Sequence, residues 1–309
     1  MYKSTLFLTA MLVDIGLCRS TTGLNQLESF GQHETNTKGP FNGRPSEPAT
    51  DKNASHIPPD KFIIAGRPTG LAQYPWLVHM TMKIHEPQDT NMVACGGSLI
   101  SPRHVLTAAH CLDFEFRSYE DVSVYLAEYN TQTFPNDCVG SQCIKNLVMH
   151  PDMITIHEHF DRQQVRNDIG MLRLSGPTPN SEHIRPIPLP TFNINVAQYE
   201  GTPLTIAGWG QTEFGQASPI KLHAQVQLIS LNTCRRYFAV TSGMLCAAGR
   251  NRQDCCFGDS GGPIMVEQQG NYQLVGVVSF GDSKCGGSKP SVYTNVFSYL
   301  DWIQKKMRN

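Results

Sequence analysis

The sequence predicts an all-β domain, a barrel or a sandwich, on three observations. From Ile63 onward, short runs rich in β-branched and aromatic residues recur between Gly, Pro and Asn turns. No fixed short repeat organises that region. Helical spacing shows itself only in the last turns of the chain.

Taken in order, Val122–Leu126, Leu204–Ala207 and Leu274–Phe280 read as strands. At the end, Val296, Tyr299, Leu300, Ile303 and Met307 recur at helical spacing, and Asn295 stands where a cap would stand. A C-terminal amphipathic helix is expected there.

The first 62 residues differ from the rest. Lys3 precedes an apolar run from Leu6 to Leu17, with Gly16, Cys18 and Ser20 small enough for a signal peptidase. The run is too short to span a bilayer, so residues 1–18 are expected to be a secretory signal peptide. Residues 19–62 are poor in aliphatic side chains and expected to form a disordered prosegment. They hold the sequon Asn53-Ala54-Ser55, an acceptor for glycosylation. Residues 63–309 then form one domain. Ten cysteines fit an oxidising, extracellular location. A net charge of -1 gives no support for nucleic-acid binding, and no other segment is expected to span a bilayer.

Three motifs carry chemistry. Thr107-Ala108-Ala109-His110-Cys111 comes first, Asn167-Asp168-Ile169 second, and Gly258-Asp259-Ser260-Gly261-Gly262-Pro263 last. A serine hydroxyl attacks a carbonyl only when a base takes its proton. Imidazole titrates near neutrality and can later return that proton. A carboxylate on the other ring nitrogen fixes the tautomer. Ser260 is thus the expected nucleophile, His110 the base and Asp168 the orienting group, with the N–H groups of Gly258 and Ser260 aimed at the oxyanion. In this order the motifs resemble the chymotrypsin/trypsin-type serine proteases, over residues 63–307.

The resemblance implies two six-stranded antiparallel barrels with the active site in the cleft between them. It also implies a precursor. Ile63-Ile64-Ala65-Gly66 resembles the N-terminus that relatives expose on cleavage, and Pro75-Trp76 follows at the usual distance. The new ammonium of Ile63 would pair with Asp259 and organise the loop at Gly258. Phe62 stands where Arg or Lys usually precedes the cut, with Lys61 before it. Either a cut after Phe62 or a cut after Lys61 with trimming would release Ile63. The prosegment lacks cysteines, and Pro188 lies where many relatives place a tethering one, so it is expected to leave.

Asp254, six residues before Ser260, matches the aspartate at the base of the specificity pocket in trypsin-like relatives. A carboxylate there would pair with a substrate Arg or Lys. Ser279, Phe280 and Gly281 form the implied pocket wall, and Cys255 and Ser291 intrude on it modestly. The alternatives are a chymotrypsin-like or restricted preference, or a non-catalytic binding protein. Pro290 argues against sodium activation.

By resemblance, Cys95 pairs with Cys111, Cys234 with Cys246, and Cys256 with Cys285. Cys138 and Cys143 are near neighbours and are expected to close a small loop. Cys255 is left over. That loop and Asn130-Thr131 resemble arthropod cascade proteases, although residues 21–61 cannot hold their disulfide-bonded clip domain. Glu128 opens a loop that binds calcium in some relatives. No cofactor is expected, structural calcium being the one candidate. His157-Glu158-His159 lacks metalloprotease spacing and reads as a surface loop. The expected partners are protein or peptide substrates, an activating protease and protein protease inhibitors, and the chain is expected to be a monomer.

Overall fold

The structure is a computed structural model, and it describes residues 20–22, 66–86, 89–113, 118–212, 216–249, 259–282 and 287–308. It is mostly β, in two antiparallel sheets. In one, the neighbours run Pro151–Ile156, Gly170–Leu174, His104–Thr107, Asp89–Ser101, Leu77–Glu86, Ser118–Leu126 and Leu147–Met149. The short strand Ser20–Thr22 pairs onto Met92–Ala94 beside it.

The other sheet closes. Pro203–Gly208, Pro263–Gln268, Asn271–Phe280, Ser291–Asn295, Met244–Gly249 and Leu222–Ile229 follow one another, and Leu222–Ile229 pairs back onto Pro203–Gly208. Closure makes this a six-stranded barrel without free edges among those strands. The first sheet curls into a half-barrel instead. Its register shifts at Thr81/Lys83, Leu99/Ser101 and Pro151/Met153. Such bulges bend strands and sharpen their twist. Its edge strands do not pair with each other among the described residues.

Inward and outward faces follow the strand period of two. Along Leu222–Ile229, residues Leu222, Ala224, Val226 and Leu228 are buried and the alternate ones are less so. They pack with Ile206, Leu245, Ile264 and Tyr293 inside the closed barrel. A second cluster fills the first sheet and reaches Trp302 and Ile303 of the C-terminal segment. A third holds Val165, Met244, Phe280 and Val292 around Cys234–Cys246.

The C-terminal helix is real but shorter than its sequence pattern. Val296–Tyr299 forms a 3-10 turn, and Leu300–Met307 the α-helix. Asn295 does not cap it by its side chain. It is fully buried, and its amide donates to Asn193 Oδ1 at 3.3 Å instead. Among the described residues no helix is long and apolar enough to cross a membrane.

Disulfides join Cys95 to Cys111, Cys138 to Cys143 and Cys234 to Cys246. The first ties the strand Asp89–Ser101 to the helical turn Ala109–Leu112. The second closes the hairpin Asn136–Val139 with Gln142–Lys145. Cys255, Cys256 and Cys285 lie outside the described residues.

Candidate active site

Two strands bring His110 and Asp168 together. His104–Thr107 pairs with Gly170–Leu174, with Thr107 opposite Gly170. The turn Ala109–Leu112 follows the first and carries His110; Asp168 precedes the second. Gly170 lets the turn lie close, because a Cβ there would sit 2.7 Å from Leu112 Cδ1.

The Asp168 carboxylate holds His110 twice. Oδ2 accepts from Nδ1 at 2.7 Å and Oδ1 accepts from the backbone N–H at 2.8 Å. An ionised carboxylate only accepts, so the ring proton sits on Nδ1 and leaves Nε2 as a base. Two hydroxyls from the closed barrel complete the hold. Ser279 Oγ donates to Asp168 Oδ2 at 2.5 Å, and Thr294 Oγ1 donates to the Asp168 carbonyl at 2.6 Å. His110 and Asp168 are both buried. Burial works against the charge of Asp168, but His110 and these hydrogen bonds outweigh it and hold the carboxyl below its ordinary value.

Ser260 lies in a turn pinned to both sheets. Gly262 N–H donates to Asp259 O at 2.9 Å, closing the turn. From the first sheet, Gly96 N–H donates to Ser260 O at 2.7 Å; from the barrel, Val278 O accepts from Gly261 N–H at 2.9 Å. Gly261 has φ of 78°, and a Cβ there would come 2.6 Å from Gly96 O and overlap Thr107 Oγ1. Glycine is thus required both for the backbone angle and for the close approach.

Asp259 points away from Ser260 into a second cradle. Its Oδ1 accepts Gly210 N–H at 2.8 Å, and the residue is buried. Gly208 and Gly210 make the room, since a Cβ on either would overlap the carboxylate. Phe280 is buried edge-on against Phe238, 5.6 Å between centroids, in the cluster that includes Val165. Gly281 faces Ser291, whose Oγ would be 2.9 Å from a Cβ on the glycine. Gly258, Asp254, Phe62, Ile63 and Asn53 lie outside the described residues, as do the remaining cysteines.

The family model Trypsin matches residues 63–303. The chain belongs to the trypsin family. It is a serine-type endopeptidase. It is 37% identical to the phenoloxidase-activating enzyme of Bombyx mori, over 78% of this chain and 60% of that protein. It is 34% identical to the CLIP domain-containing serine protease HP8 of Bombyx mori, over 86% and 75% of the two chains. Melanization protease 1 of Drosophila melanogaster is 35% identical, over 80% and 66%. The chain thus spans less than two thirds of the length of the first and third of these relatives.

In this trypsin-family chain the Glu128 loop is closed by its own side chains. Asp137 accepts from the backbone N–H groups of Tyr129 and Asn130, at 2.8 and 3.0 Å, and from Thr133 Oγ1. Asn146 Nδ2 donates to Asp137 at 3.0 Å and to Glu128 Oε2 at 2.7 Å. Within this loop, Glu128 Oε1 and Asn146 Oδ1 remain as buried acceptors without a donor. Calcium takes about six to eight oxygens, so these side chains do not fit it. Among the described residues no group of three or more His, Cys, Asp or Glu is placed to hold a metal.

Burial is the main cause that lifts the Glu128 carboxyl to about 7, with Asp137 adding to it and the Asn146 bond opposing it. A raised carboxyl destabilises the fold as pH rises from the unfolded value, 4.5, to about 7, and the penalty is constant above that. Glu128→Gln removes the penalty and puts an amide donor in place of the orphaned Oε1. The variant is expected to gain about 1–3 kcal/mol over the parent above neutrality and nothing near pH 4. Thermal unfolding at pH 4.5 and pH 8 checks this. An equal difference at both pH values contradicts it.

Sequence reasoning missed Thr294 and put Ser279 in the pocket wall, without its bond to Asp168. Neither had a local signal, because Thr and Ser are ordinary strand residues. His157-Glu158-His159 sits against the C-terminal helix, and Trp302 Nε1 donates to Glu158 Oε2 at 2.6 Å.

Proposed function

We propose that the chain is the precursor of a secreted endopeptidase that cuts proteins after Arg or Lys. The observation that carries the catalytic reading is the doubly hydrogen-bonded His110–Asp168 pair, set beside a Ser260 turn pinned to both sheets. Ser260 Oγ attacks the scissile carbonyl carbon as His110 Nε2 takes its proton. The oxyanion lies against the N–H groups of Gly258 and Ser260. The C–N bond then breaks, His110 returns the proton to the leaving amine, and water hydrolyses the acyl-enzyme by the same steps.

Activation is read from Asp259. Its carboxylate lies in a buried slot kept open by two glycines. The ammonium released at Ile63 is proposed to enter that slot as the counter-ion of the carboxylate. An upstream protease supplies the cut, after Phe62, or after Lys61 with trimming. The names of the relatives support a protein rather than a small peptide as substrate. Protein inhibitors, a monomeric state and the absence of structural calcium complete the reading.

The Arg/Lys preference rests on Asp254. A peptide panel varying the residue before the cut, run on enzyme beginning at Ile63, tests it. Cleavage after Arg and Lys is expected; cleavage only after aromatic residues would overturn it.

A further inference from the structure

Asp168 sits on a backbone that does not hold its own shape. Val165 and Asn167 both have positive φ, 48° and 52°. A β-branched residue rarely adopts that region, so the surroundings must impose it. Locally, Asp161 and Arg166 exchange backbone hydrogen bonds, at 2.9 and 3.0 Å, and Ile169 N–H donates to Asn167 O at 2.9 Å.

The distant support comes through the side chain of Asn167. Its Nδ2 donates to His159 O at 2.6 Å, and its Oδ1 accepts from Tyr299 Oη at 3.0 Å. Tyr299 closes the 3-10 turn that leads into the C-terminal helix. Its hydroxyl stays protonated at any working pH, because burial and then the charge of Asp168 push it up to about 12. Its ring meets His157 edge-on at 5.4 Å, and His157 also lies 5.3 Å from Trp302. Gly243 leaves room for the hydroxyl, since a Cβ there would come 2.8 Å from it. The His157-Glu158-His159 motif therefore docks the loop before Asp168 onto the C-terminal helix.

We propose that Tyr299 is a positioning residue for the triad, setting through Asn167 the backbone that presents Asp168 to His110. Tyr299 does not touch substrate; it acts on the His110–Asp168 geometry. The inference rests on the triad reading, and its test separates the two.

Tyr299→Phe keeps the ring packing and removes the hydroxyl. Asn167→Gly removes both side-chain bonds while keeping a residue that accepts positive φ. On enzyme beginning at Ile63, each variant is expected to lower kcat about tenfold with KM within about twofold. The double variant should be no worse than Asn167→Gly alone, because Tyr299 acts through Asn167. The proton NMR resonance of His110 Nδ1–H should move in both variants, with the fraction of sites titrated by a phosphonate unchanged. That resonance reports the pair itself, so it decides this inference even if the proteolytic reading fails. An unmoved resonance, additive losses, or activity lost only in proportion to titratable sites would overturn it.

Discussion

Replacing Asp168 by Asn is expected to lower kcat by about 10⁴-fold, the scale of that loss in the general serine-protease triad. The hydrogen bonds explain why the change is not conservative. Both carboxylate oxygens accept: Oδ1 from the His110 backbone, Oδ2 from Nδ1 and from Ser279. Asn brings an NH₂ group to one of those places. Turned toward Oδ2, it faces Nδ1 as a donor and forces the ring proton onto Nε2, where His110 can no longer accept from Ser260. Turned toward Oδ1, it sets two donors against each other in a buried site, at a cost of about 1–3 kcal/mol. Steady-state kinetics on enzyme beginning at Ile63 decides between outcomes. A variant within tenfold of the parent would show that the Asp168 charge and tautomer control are not what His110 needs.

Gly210→Ala is expected to lower kcat/KM by at least about 10²-fold, through a residue that touches no substrate. The methyl carbon would lie 2.5 Å from Asp259 Cγ, with both carboxylate oxygens nearby. Asp259 must then leave its slot, and it is joined directly to Ser260 in a turn with little slack. Gly261 and Gly262 in that turn meet neighbouring backbone on a side that has no spare room. The displacement therefore passes to Ser260. Gly176→Ala is the control, since a Cβ there meets nothing within 4 Å. It should leave activity unchanged and stability within about 0.5 kcal/mol. If Gly210→Ala is as active as the control, Asp259 does not set the geometry of Ser260.

The parts of the site that are contiguous in the chain could be read from it. His110 comes with Ala109 and Cys111, Ser260 with its glycines, and their order narrows the chemistry. The bonds that make the pair rigid could not. Ser279 is 111 residues from Asp168, Thr294 is 126 away, and Tyr299 is 132 from Asn167. Each is an unremarkable residue in its own strand or turn; the closed barrel brings Ser279 and Thr294 to Asp168, and the C-terminal turn brings Tyr299 to Asn167. Asn295 shows the opposite failure. Its local pattern suggests a helix cap, but the residue is buried and its amide bonds the half-buried Asn193 instead. The β class followed from turn-bounded runs, while closure of one sheet and curling of the other depend on pairings and bulges that no single strand announces.

The competence of Ser260 as the proposed nucleophile depends on a free Ile63. Labelling with a fluorescent organophosphonate, before and after cleavage that creates that terminus, tests it most directly. The expected result is one label per chain, on Ser260, appearing only after cleavage, and none in Ser260→Ala. Equal labelling of the uncleaved chain, or no labelling once the Ile63 terminus is verified, would contradict it.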